Sequence, residues 1–164
     1  MNRHLFILLF VLCGLTTSAQ TSIREVFGNV PDSIFPTLTK NNRLDMMDFI
    51  EAKMRAEVVN LLTGTSEMLS LSKDSLTIRM SEAQTLTMYL LPTEQAYDSL
   101  RQVVCIDRTY KLLSDNASET VRELYSLKWR KLERLEPADA SKLKALPSSD
   151  ILCRDERLLN ILEK

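Results

Sequence analysis

From Glu57 onward the apolar residues fall on every second position. "SLTIRMS" sets Leu76, Ile78 and Met80 against Thr77 and Arg79, and "QTLTMYLL" sets Leu86, Met88 and Leu90 against Thr85, Thr87 and Tyr89. Period two with one apolar face predicts half-buried antiparallel strands. "SEMLSLS" carries a weaker version of the pattern and "EVVNLL" a weaker one still. The links "KD" and "EA" have hairpin length, although Lys73-Asp74 lacks the glycine of the most favourable turns. Pro92 is expected to stop the meander, with "TEQAYDSL" as a linker. "RQVVCIDRTYKL" then reads as a fifth strand, "SDNAS" as a turn and "ETVRELYSLKW" as a sixth strand.

The flanks follow a helical period. Ser22 with Glu25 three residues on is a capping box, and Gly28-Asn29 ends the short helix it opens. Pro31 and Pro36 bracket a turn that directs Ile34, Phe35 and Leu38 inward. In "NNRLDMMDFIEAKM" Asn41 or Asn42 is the expected cap, and Asp45 falls in the first turn, where its charge meets the positive end of the dipole. Met46, Met47, Ile50 and Met54 share one face; Asp45, Asp48, Glu51 and Arg55 share the other, with Glu51 and Arg55 spaced for a helical ion pair. These carboxylates read as a solvated face. A calcium loop needs oxygen ligands at alternate positions and a glycine turn, and the stretch has neither. Pro137 and Pro147 precede two short C-terminal helices, "ADASKLKAL" and "SDILCRDERLLNIL". The predicted fold class is therefore α+β: N-terminal helices, an antiparallel β-meander of about five or six strands, and short C-terminal helices.

The first residues change the inventory. Arg3 and His4 precede an apolar run, Leu5–Leu15, too short to span a bilayer, and Thr17-Ser18-Ala19 follows. This is the three-part pattern of a signal peptide cleaved before Gln20, so residues 1–19 are expected to leave and 20–164 to form one domain. A lipoprotein signal at Cys13 is disfavoured by Leu12, because a small residue belongs there. No later segment is apolar enough to cross a membrane. The expected location is the periplasm, with secretion also open. Cleavage removes His4, the only histidine, and Arg3, leaving 20 basic against 22 acidic residues. That near balance argues against a nucleic-acid partner. Cys105 and Cys153 remain. In an oxidising compartment they could form a disulfide worth roughly 4 kcal/mol, or stay as two separate buried thiols.

The surviving residues exclude several chemistries. Without imidazole there is no histidine triad and no His-ligated zinc site, and a cysteine nucleophile lacks its usual base. Gly28 and Gly64 are too few for a phosphate cradle. Ser70-x-x-Lys73 and Ser114-Asp115-Asn116 match two signatures of penicillin-binding enzymes, but no K-T-G follows, Ser70 falls in a strand pattern, and Ser141-x-x-Lys144 matches as well. "LKWRKLER" sets Trp129 among Lys128, Arg130, Lys131 and Arg134; Glu123, Glu133 and Glu136 dilute that charge, and it reads as a snorkelling surface. No catalytic, cofactor-binding or metal residues are assigned, and no cofactor. The leading reading is a non-catalytic envelope protein that binds a partner protein or an apolar ligand through its sheet or a helix–sheet groove. The rival is a carboxylate-based hydrolase of envelope glycans, for which Asp107, Glu119 and Glu123 are the candidates.

The segments "IREVFGNVPDSIFPTLTKNNRLDMMDFIEAKMRAEV", "SEM", "LTIRMSEAQTLTMYLL" and "VVCIDRTY" resemble a domain-of-unknown-function family of small exported Bacteroidetes proteins. The resemblance runs from about Ile23 to Tyr125, and "PDS…LT.NNRLDM.DF" is its most specific part. It implies export and a single domain, and it carries no activity and no catalytic residues. Asp32-Ser33-Ile34, Asp74-Ser75-Leu76 and Asp98-Ser99-Leu100 are likewise similar to the O-glycosylation signal of such exported proteins, although Asp-Ser is also ordinary turn chemistry. Intact mass and N-terminal sequencing of the protein recovered from an expressing Bacteroidetes cell should give a chain starting at Gln20; a chain that keeps residues 1–19 contradicts the leader.

Overall fold

Ser22 starts the first helix by accepting a hydrogen bond from the Glu25 N–H at 3.3 Å. The computed structural model describes residues 21–111 and 118–133, together with residues 139, 142 and 146. Helix α1 (Ile23–Gly28) buries Ile23, Val26 and Phe27. Two turns follow, closed by Ile34 N–H to Pro31 O at 3.0 Å and Leu38 N–H to Phe35 O at 3.1 Å. They seat Phe35 and Leu38 fully inside, with Phe35 edge-on to Phe27 at 5.7 Å.

Helix α2 (Lys40–Glu51) begins two or three residues earlier than its asparagines suggest. Thr39 is the cap: its hydroxyl accepts from Asn42 N–H, and Asn42 Oδ1 accepts from Thr39 N–H, both at 3.1 Å. Asn42 is thus the third helical residue of a capping box, and Asp45 lies beyond the first turn, away from the dipole end. The helix closes in a Schellman arrangement, with Met54 N–H on Phe49 O at 2.9 Å and Lys53 N–H on Ile50 O at 3.1 Å. Lys53 takes the left-handed conformation (φ 58°) that glycine usually supplies. Met54 therefore falls past the helix and is exposed, while Met46 and Met47 are buried. The expected Glu51–Arg55 helical pair does not form. Arg24 of α1 takes both Asp48 and Glu51 instead, and Arg55 turns to Glu57 and Glu67.

Seven strands then pair antiparallel in strict chain order: β1 (Ala56–Val59), β2 (Thr65–Leu71), β3 (Ser75–Arg79), β4 (Gln84–Tyr97), β5 (Leu100–Lys111), β6 (Ser118–Ser126) and β7 (Lys131–Leu132). The α+β class fits broadly, but the described residues form seven strands rather than about five or six. The added strand is β7. "LKW" is not the end of a strand; it lies in the turn between β6 and β7, where Trp129 sits at φ 63° and packs 6.0 Å from Tyr125. The two C-terminal helices expected from the sequence, and the leader, fall outside the described residues apart from Asp139, Lys142 and Leu146.

Two irregularities explain where the pattern was weak. A register shift between Met68 and Ser70 leaves Leu69 unpaired, so Met68 and Leu71 both reach the core despite unequal parity. In β4, Pro92 does not end the strand. It pairs with Gln102, and the register slips between Pro92 and Tyr97. The N–H groups of Glu94 and Gln95 are taken by the buried carboxylate of Asp139, at 2.7 and 3.4 Å. The supposed linker is therefore strand plus a two-residue turn, Asp98-Ser99, with φ of 52° and 72°, the mirror-image geometry of tight hairpins.

The helices cover one face of the sheet. There Leu76, Ile78, Leu86, Met88, Leu90, Val104 and Ile106 meet Ile23, Phe27, Phe35, Leu38, Met46 and Met47. On the other face Val103, Cys105, Leu124 and Leu132 form a second cluster with Tyr89, Leu91, Tyr97 and Leu146. Strand β5 is thus buried on both sides, which is why "VVCI" is continuously apolar. Among the described residues no helix is long and apolar enough to cross a membrane.

Arg43 organises the approach to the sheet. Its side chain is buried, with Nη1 on Leu38 O at 2.7 Å and Asp32 Oδ1 at 3.0 Å, and Nη2 on Val30 O at 2.9 Å. Asp32 is 76% exposed, so screening leaves that ion pair little energy, and the two carbonyl bonds dominate. Arg43→Met should lower unfolding free energy in urea by about 3 kcal/mol, because two buried carbonyls lose their donor. Asp32→Asn should change it by less than about 1 kcal/mol; equal losses would contradict this division.

Candidate functional site

Strand register sorts the chemistry-bearing side chains onto two faces. On the face away from the helices, Thr77, Thr87, Asp107 and Arg122 form one row across β3–β6, flanked by the row Arg79, Thr85, Thr109, Thr120 and the row Ser75, Tyr89, Cys105, Leu124. Asp107 and Arg122 occupy the buried half. Arg122 Nε and Nη2 each donate to one carboxylate oxygen of Asp107, at 2.6 Å, a bidentate fork. Burial works against the Arg122 charge, but the Asp107 bonds outweigh it and the guanidinium is held above its ordinary value. The Cys105 thiol donates to Asp107 Oδ1 at 3.8 Å. Burial first, then the Asp107 field, pushes the Tyr89 phenol up. Both oxygens of this carboxylate are engaged by Arg122, and the group is buried.

The helix-side face holds Glu123, which accepts from Lys131 Nζ at 2.9 Å and Arg108 Nε at 3.3 Å. Arg108 also donates to Ile34 O at 2.9 Å and lies 5.4 Å from the centre of the Phe35 ring, tying the proline-bounded turn to the sheet. Burial opposes the charge on Glu123, yet Lys131 and Arg108 hold its carboxyl below the usual range. The three candidate acids of a hydrolase are therefore not brought together. Asp107 faces away from Glu123, being paired in register with Arg122 while Glu123 pairs with Ile106. Glu119 shares the face of Glu123 but lies four residues along the strand, roughly 13 Å away.

The other sequence candidates resolve into structure. Ser70 is an exposed residue of β2 and Lys73 belongs to the turn beyond it; Ser114-Asp115-Asn116 lies outside the described residues. In the basic run, Arg130 binds Asp98 at 2.8 Å and Lys131 binds Glu123. Asp98 is held below the usual carboxylate range by its bonds from Arg130 and then Ser126. Of the Asp-Ser serines, Ser33 and Ser99 are exposed, whereas Ser75 is half-buried in β3 with its hydroxyl 2.9 Å from Ser72 Oγ. Cys105 is fully buried; Cys153 lies outside the described residues, and with it the disulfide. Among the described residues no group of three or more His, Cys, Asp or Glu side chains could hold a metal. The seam between helices and sheet, expected as a groove, is filled by Phe27, Phe35, Leu38, Met46 and Met47.

One feature was missed in the sequence. "EVVNLL" is not all strand: β1 stops at Val59, and Asn60–Gly64 is a built turn. Buried Asn60 accepts from Leu62 N–H at 3.0 Å and Gly64 N–H at 3.2 Å through Oδ1. Its amide donates to Ser66 Oγ at 3.0 Å, and Ser66 in turn donates to Met80 O at 2.8 Å. Thr63 takes φ 62°, a strained choice for a β-branched residue. The product of this network is exposure of Leu61 (62%) and Leu62 (74%) beside Val59 (66%). The available signal was the turn chemistry of Asn60 and Thr63-Gly64 around the two leucines.

These elements define a small α+β domain in which two helices cover one face of an antiparallel meander and the sheet's interior charges neutralise one another. The chain belongs to the family described as Protein of unknown function (DUF3256), whose model matches residues 15–152. It is similar to the solved structure of a domain of an uncharacterized protein from Porphyromonas gingivalis W83, at 21% identity and a TM-score of 0.53, covering 77% of this chain and 62% of that one. The chain thus spans less than two thirds of that structure's length, and at this identity the likeness is one of fold. No curated protein matches it.

Glu123 generates a pH dependence of known sign. Its folded pKa lies below the unfolded one, so its contribution is complete above the ordinary glutamate range and drains away as pH falls through the folded value. Melting temperatures from about pH 7 to about pH 3 should show Glu123→Gln destabilised at neutral pH and converging on the native chain in acid. A gap that stays constant with pH contradicts the assignment.

Proposed function

We propose that the chain is an exported, non-catalytic interaction module of the cell envelope. The observation that carries this reading is the Asn60 turn, which spends a buried polar network and a strained threonine on holding two leucines in water. Large apolar side chains fixed in solvent by their own scaffold are a contact surface. The central ionisable groups support the non-catalytic half: Asp107 and Glu123 are each paired with arginine or lysine, and they point to opposite faces. Export rests on the apolar leader, Leu5–Leu15, and the small residues after it.

The glycan-hydrolase reading gains no geometric support, because its two carboxylates must stand about 5 to 10 Å apart around one bond. Incubating the purified chain with peptidoglycan and envelope polysaccharide should release no new reducing ends. Release that Glu123→Gln or Asp107→Asn abolishes, in a variant that still melts cooperatively, overturns the non-catalytic reading.

A further inference from the structure

The tip between β1 and β2 is an uncharged stretch at an exposed end of the sheet. Residues 58–66, "VVNLLTGTS", carry no ionisable side chain. The flanking charges are Glu57 and Glu67, which face each other across the hairpin base. Both are neutralised there, Glu57 by Arg55 and Glu67 by Arg55 and Arg79. Beyond that base the hairpin runs on the order of 10 Å before its turn. At the turn stand Leu61 and Leu62, with Val59 behind them. Leu61 N–H donates to Thr37 O at 3.0 Å, and Asn42 Nδ2 to Val59 O at 3.2 Å, which fixes the tip against the start of α2.

From this arrangement we propose that the Asn60–Gly64 turn inserts into a lipid surface, with Leu61 and Leu62 as the inserted side chains. The proposal rests on the interaction-module reading and names its partner. Three observations select a bilayer. The tip is convex, and three side chains supply only a few hundred Å², well short of the roughly 800 Å² per partner that a stable protein interface buries. A second copy would present the same convex tip. The uncharged length matches the 5–10 Å depth to which interfacial segments sink, so no charge is dragged below the headgroups. The rigid turn removes an ordering cost, since Asn60 already holds the leucines outward.

Flotation with extruded phosphatidylcholine vesicles tests this, using the full chain as processed by its cell and a Leu61→Ser/Leu62→Ser variant prepared identically. The native chain should float with neutral vesicles, and the double variant should lose roughly tenfold or more of the bound fraction. Its urea midpoint should be unchanged, because both leucines are exposed in the folded chain. Adding about 30% phosphatidylglycerol should strengthen binding only about threefold or less, because the arginines at the hairpin base, Arg55 and Arg79, are already paired with Glu57 and Glu67. No flotation of the native chain, or equal flotation of the two, overturns the proposal. So does a concentration-dependent dimer in sedimentation equilibrium that the double variant abolishes, since that assigns the tip to a second copy. Failure here leaves the non-catalytic reading standing, because that reading is tested on glycans without lipid.

Discussion

The fork between Asp107 and Arg122 sets the terms for the sheet. Strand β5 is buried on both faces, yet it carries a carboxylate at its centre. A charge taken from water into such a place is tolerated only when it is paired and hydrogen-bonded. Register solves this by setting Arg122 of β6 directly opposite, so both carboxylate oxygens are occupied from one side chain. A slip of one residue between β5 and β6 would put Arg122 on the other face and strand Asp107. The pair therefore specifies the register that also aligns Cys105 with Leu124 and Ile106 with Glu123.

Arginines perform the same office elsewhere. Arg108 reaches from β5 to the carbonyl of Ile34 and the face of Phe35; Arg43 holds the carbonyls of Val30 and Leu38; Arg24 spans from α1 to Asp48 and Glu51 of α2. The planar guanidinium suits this work because it presents several donors in fixed directions. The result is a body in which these four arginines hold its elements together. Among the described residues the most exposed large apolar side chains, Leu61, Leu62 and Val59, lie at one hairpin tip, which is why the functional reading moves from the sheet's centre to the Asn60 turn.

The sequence made the strands legible where one face was pinned to the core, as in β3 and β4, because period two then survives unbroken. It failed where distant groups intervene. Pro92 looked like a stop, but the N–H groups beyond it are satisfied by Asp139, more than forty residues away. The burial of Arg43 follows from carbonyls aimed by the preceding turns, which no local pattern reveals. Thr39 displaced the asparagines as cap because its hydroxyl meets Asn42 in a reciprocal pair. Leu61 and Leu62 were absorbed into a strand because hydrophobicity was weighted above turn chemistry. The acidic face of α2 is exposed, as its helical period predicts, and its partner is Arg24 rather than Arg55.

The account stands on the sheet's central carboxylate being structural. A double-mutant cycle over Asp107→Leu and Arg122→Leu measures this directly through unfolding free energies. Each single change should cost about 3–5 kcal/mol, because it leaves one buried charge alone, and the double change should recover most of that loss. Near-neutral single changes, or a double variant as unstable as the sum of both, would contradict it and return Asp107 to the list of groups available for chemistry.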